Sequence, residues 1–102
     1  YATCRTDNSI AVFKITPATG KLTCVQRLMT GGHCSRHFVL DESRAVLHLS
    51  HQDSQDVTSY RISRQAGGEG PPGTLVEPAL GVLKLTGMCP VGLVTIPAPR
   101  SS

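Results

Sequence analysis

Tryptophan is absent from these 102 residues, and aromatic residues amount to only 4%. A chain this short already buries a modest share of its surface. With 39% apolar residues and so few large rings, it is poorly equipped to build a self-sufficient core. No apolar run approaches the roughly 20 residues of a membrane helix, and no membrane partner is expected. No basic segment followed by an apolar stretch marks an export signal, so a cytoplasmic location is expected. Charge is also sparse, with ten Lys and Arg against seven Asp and Glu, a net +3. The basic residues are scattered, and only four aromatics interleave with them. A nucleic-acid face needs a basic stripe or a stacking platform, so that function class is excluded. The chain opens at Tyr1, not Met, and reads as a piece of a longer protein.

Close metal-ligand pairs are missing too. The cysteines, Cys4, Cys24, Cys34 and Cys89, lie far apart. Four cysteines allow three disulfide pairings, but without an export signal free thiols buried in strands are the expected state. His33, Cys34 and His37 cluster, yet no Cys-x-x-Cys pair accompanies them, and structural zinc sites are built on such pairs. No metal or other cofactor is expected. There is no Gly-x-Ser-x-Gly elbow, so a serine nucleophile has no support. No stretch has helical periodicity.

What is present is a series of strands. Residues 9–15, Ser-Ile-Ala-Val-Phe-Lys-Ile, are rich in β-branched and aromatic types, and Thr16-Pro17-Ala18-Thr19-Gly20 ends them in a turn. Residues 21–28 read as the second strand of a hairpin. Residues 36–40, 45–50, 56–62, 75–85 and 91–96 are the further strands. The Gly/Pro run at 66–73 is a loop.

An internal repeat organises them. Ser9 to Ile15 matches Asp56 to Ile62, an offset of 47 residues, and Cys34 to Phe38 matches Cys89 to Leu93 at an offset of 55. A period of about 40–50 residues with four strands per unit is the signature of propeller blades. The expected fold is all-β: a partial β-propeller with blades of four antiparallel strands. Residues 1–30 would give the outer strands of one blade and residues 31–86 the next blade. Residues 88–96 would open a following blade, and residues 97–102 would form a tail.

Three blocks in order resemble the lactonase family of seven-bladed propellers, which includes 6-phosphogluconolactonases and a carboxymuconate cyclase. They are Arg5 to Ile15 with Pro17 to Leu22, Gly31 to Asp41, and Ser50-His51-Gln52-Asp53-Ser54. Ser35 stands where that family has proline, and Cys4 and His51 stand where asparagine is common. The resemblance implies a cofactor-free hydrolase that opens a sugar lactone in the pentose phosphate pathway. It also implies partners: the remaining propeller blades and a small anionic sugar lactone. Two bare blades would be inactive. The other readings are a non-catalytic binding scaffold, since a fold hosts many functions, and a lactonising cyclase.

Successive loops of an antiparallel meander alternate between its two ends. Arg5 and Gln52 each follow the second strand of a blade, and His33 to Arg36 lies at the junction between blades, so these loops share one rim. Arg5, Arg36 and Gln52 should converge there, with His51 and His33 beside them. Arginine offers a planar fork for carboxylate or phosphate oxygens and can stabilise an oxyanion. Arg36 and Arg5 are the expected catalytic residues, and Gln52, His51 and His33 the expected substrate contacts. Strand alternation assigns His37 to blade packing.

Overall fold

The structure, a computed structural model, describes residues 1–64 and 71–87. Seven strands form two antiparallel meanders. β1 (Ala2–Cys4), β2 (Ser9–Ile15) and β3 (Leu22–Met29) make the first sheet, in that order. β4 (Ser35–Asp41), β5 (Val46–His51), β6 (Asp56–Ile62) and β7 (Leu75–Lys84) make the second. The described residues contain no helix, and the two sheets are blades of a propeller. The strand expected at 91–96, the tail, Cys89 and most of the Gly/Pro loop lie outside the described residues.

The period-2 pattern explains which faces meet. Ile10 and Val12 of β2, Leu28 of β3, Leu47 and Leu49 of β5, Tyr60 of β6 and Leu75 of β7 form one buried cluster between the sheets. Burial of each such side chain contributes about 1.5–3 kcal/mol. Gln26 ties the blades together as a surrogate strand partner. Its amide nitrogen donates to the Leu75 carbonyl at 2.8 Å, and its amide oxygen accepts from the Leu75 N–H at 2.7 Å. Tyr1 adds a second tie, its ring edge-on to Phe38 at 5.9 Å and its hydroxyl donating to the Gly73 carbonyl at 2.6 Å.

The repeat recurs in backbone detail. Asn8 and Gln55, 47 residues apart, both take left-handed conformations, with φ of 58° and 57°. The Asn8 carbonyl accepts from the Thr30 N–H at 3.1 Å, and the Gln55 carbonyl accepts from the Leu85 N–H at 2.7 Å.

Two expectations fail. Cys4 and Cys24 are exposed free thiols, and of the described cysteines only Cys34 is buried, in a loop. His37 is exposed, because pairing slips between Ser35 and His37 and resets the alternation of β4.

Candidate functional site

Three loops meet at one end of the blades: residues 5–8 after β1, 30–34 between the sheets, and 52–55 after β5. Asparagine tolerates the left-handed region that the tight turn at Asn8 demands. There its side-chain oxygen accepts from the Cys34 N–H at 2.7 Å. The Gln52 and Asp53 N–H groups donate to the Cys34 and His33 carbonyls at 2.9 and 3.1 Å. The His33 N–H donates to the Ser54 hydroxyl at 2.9 Å. With their polar groups satisfied by one another, the loops form a fixed rim.

An open cavity of about 580 Å³ lies between them, lined by Arg5, Thr6, Asn8, His33, Cys34 and Asp53. Its wall holds one guanidinium, one carboxylate and one imidazole, a set that can bind an anion and exchange a proton. Of the expected site residues, Arg5 and His33 line this cavity. Gln52 is half-buried just behind it, its amide oxygen 3.8 Å from the Cys34 sulfur. Arg36 is exposed at the same end of β4, where the slip between Ser35 and His37 leaves it without a partner residue opposite. Such bulges turn a side chain away from the regular pleat. Among the described residues, no three His, Cys, Asp or Glu side chains are grouped to hold a metal.

His51 departs most from expectation. It is fully buried, not at the mouth of the cavity. As the last residue of β5 it falls on the face of Leu47 and Leu49, and all three have no exposed surface. Its Nε2 lies 2.7 Å from the Thr30 hydroxyl and its Nδ1 2.8 Å from the Asp56 carboxylate. The ring packs on Gly32. Burial pushes the imidazole below its ordinary pKa, against the opposing pull of Asp56. Burial also pushes the Asp56 carboxyl upward, but hydrogen bonds from Lys84, His51 and Ser54 outweigh this and hold it low. The Lys84 ammonium reaches its second oxygen at 3.1 Å.

Sequence reasoning did not single out Asp53, Asn8 or Asp56. For the first two the signal was at hand, since both stand inside the blocks that carry the family resemblance. Asp56 appeared only as the start of a strand.

The family model described as "Lactonase, 7-bladed beta-propeller" matches residues 1–74. The chain is 30% identical over 67 residues to a 6-phosphogluconolactonase of Bacillus subtilis, covering 66% of this chain and 19% of that protein. It is 28% identical over 67 residues to an uncharacterized protein of Lactococcus lactis, covering 66% of this chain and 20% of that one. The chain thus spans about a fifth of the length of these curated relatives. Its fold is similar to that of a Pseudomonas aeruginosa periplasmic gluconolactonase. The TM-score is 0.68 at 20% identity, over 83% of this chain and 22% of that structure.

Proposed function

The chain belongs to the lactonase family of seven-bladed β-propellers, and we propose that it contributes two blades and part of the rim to a hydrolase that opens a sugar lactone. The leading substrate is 6-phosphogluconolactone, the ester implied by the name of the Bacillus subtilis relative. The observation that carries the reading is the cavity where Arg5, His33 and Asp53 face one another, in a chain matched by the family over residues 1–74.

In this mechanism water adds to the lactone carbonyl. Charge builds on the carbonyl oxygen, and an arginine fork, Arg5 or Arg36, stabilises it or holds the phosphate. The ring C–O bond then breaks, the ring oxygen takes a proton, and a hydroxy acid leaves. His33, whose side-chain type exchanges protons near neutrality, contacts the substrate, and Gln52 backs the cavity wall at Cys34. These steps require no cofactor. The other blades complete the site.

The test is a chimera of the Bacillus subtilis enzyme carrying the matching residues of this chain, assayed by acid release from 6-phosphogluconolactone. Arg5→Ala and Arg36→Ala are expected to lower kcat by about 10²–10³-fold, the loss typical of an oxyanion donor. A chimera that hydrolyses equally well without either arginine would instead support the scaffold reading.

A further inference from the structure

The aspartates of this chain divide into two groups. Asp7 pairs with Arg27, Asp41 with Arg44, and Asp56 with Lys84. Asp53 has no side-chain partner among the described residues, although it lines the cavity together with Arg5. The arginines divide in the same way. Arg27 and Arg44 are paired, Arg64 donates to the Glu42 carbonyl, and Arg61 is engaged as well. Arg5 and Arg36, both at the rim, have no partner among the described residues. Arg5 and Asp53 thus share one cavity without forming an ion pair, and the space between them is open to a ligand. The backbone under Asp53 is fixed, for its N–H donates to the His33 carbonyl at 3.1 Å.

These two free groups call for different partners. A guanidinium only donates hydrogen bonds and carries positive charge, so it takes an anion. An ionised carboxylate only accepts, so it takes a hydroxyl group of the ligand. A ligand that meets both has an anionic group and neighbouring hydroxyls, as a sugar acid or sugar phosphate does. A second carboxylate in place of those hydroxyls would face Asp53 and be repelled. We propose that Asp53 is a specificity-determining residue, which selects polyhydroxylated anions by accepting from their hydroxyls and rejects dicarboxylic acids by like charge. Discrimination then comes from an attractive and a repulsive element at one position. This inference rests on the reading of the cavity as the lactone site for where the ligand sits. It separates a sugar lactone from a carboxymuconate, whose further carboxylates bring the wrong charge.

The test titrates the 102-residue chain with six-carbon acids and follows Arg5, His33 and Asp53 by nuclear magnetic resonance. D-Gluconate has a carboxylate and a row of hydroxyls, hexanoate a carboxylate alone, and adipate a carboxylate at each end. Gluconate is expected to bind about tenfold more tightly than hexanoate, the worth of a hydrogen bond to a charged group. Adipate should bind no better than hexanoate despite its second charge. Asp53→Ala should remove the preference for gluconate and strengthen adipate severalfold. Asp53→Glu should keep the native order, and Arg5→Ala should weaken all of the acids. Asp53 is exposed and its backbone bond survives substitution, so these variants keep the fold. Equal affinities in the native chain, a gluconate preference that persists in Asp53→Ala, or no response at these residues to any of the acids overturns the proposal. The titration involves no turnover, so a chimera that fails to hydrolyse 6-phosphogluconolactone overturns the lactone reading while the expected titration still upholds the selectivity of Asp53.

Discussion

A single added carbon at Gly32 tests the rim most directly. A Cβ there would sit 2.5–2.6 Å from Nδ1 and Cδ2 of His51, and closer still to Cγ. Real Cβ atoms do not approach so closely, so either the ring or the loop must move. The ring cannot yield cheaply, because it is fully buried and bonded at both nitrogens. Overpacking of this kind costs about 1–3 kcal/mol, and breaking the Thr30 bond adds about 1 kcal/mol. Gly32→Ala should therefore lower the opening free energy of residues 30–34 and 51–54 by about 2–4 kcal/mol. That corresponds to roughly 30- to 700-fold faster amide exchange at about 1.4 kcal/mol per decade. Gly81 is the internal control, since nothing lies within 4 Å of its added Cβ, and Gly81→Ala should leave exchange at the rim unchanged. Native exchange rates in Gly32→Ala would show that His51 is not wedged against the loop and would refute the packing argument.

Gln26→Ala strips both partners from the buried Leu75 backbone and should destabilise the inter-blade contact by about 2–3 kcal/mol, seen as faster exchange at Leu75 and Val76. Gln26→Glu keeps only the acceptor and should also be destabilising. Asp56 is held below the ordinary carboxylate range, so its contribution is present above about pH 3.9 and is lost as pH falls through its lower folded value. Circular dichroism against pH should show a flatter acid transition in Asp56→Asn. Ile15, Met29, Leu80, Val82 and Leu83 are each 56–63% exposed, and such surfaces drive association. Sedimentation should therefore show concentration-dependent self-association of the isolated chain, lessened by Leu80→Lys with Val82→Lys, and the chain alone should not hydrolyse 6-phosphogluconolactone above background.

The strands were legible from their β-branched and aromatic residues and from the repeat. Ser9–Ile15 and Asp56–Ile62 fall where the repeat places them. The rim was legible as topology, since Arg5 and His33 come from loops that an antiparallel meander must put at one end. The orientation of individual side chains was harder to see. The strand expected over 45–50 stops short of His51, although Leu47, Leu49 and His51 alternate onto one face. A polar side chain ending an apolar stripe looks like the strand's exit, and only the Asp56 and Thr30 contacts show that it stays inside. His37 failed for the opposite reason, because one extra residue in β4 reverses every face beyond it.

Comparison of the two blades separates what a blade needs from what this site adds. The left-handed residue at Asn8 and Gln55, and the carbonyl of each that accepts from the next loop, occur in both and belong to the architecture. His51 and Asp56 do not recur, for at the same offset the first sheet has Cys4 and Ser9. The neighbouring pair is also inverted. In the first sheet the Ser9 hydroxyl donates to Asp7 in the turn at 2.5 Å, and in the second the Ser54 hydroxyl in the turn donates to Asp56 at 3.2 Å. The exchange moves a carboxylate from a half-buried turn, where Arg27 pairs with it, to a strand position only 4% exposed. Burying that charge is costly unless it is paired; Lys84 supplies the pairing and His51 a hydrogen bond. The first sheet forms its turn without any of this, so the fold does not require the buried pair. Its position behind the loop of His33 and Cys34 instead ties it to the cavity those residues line.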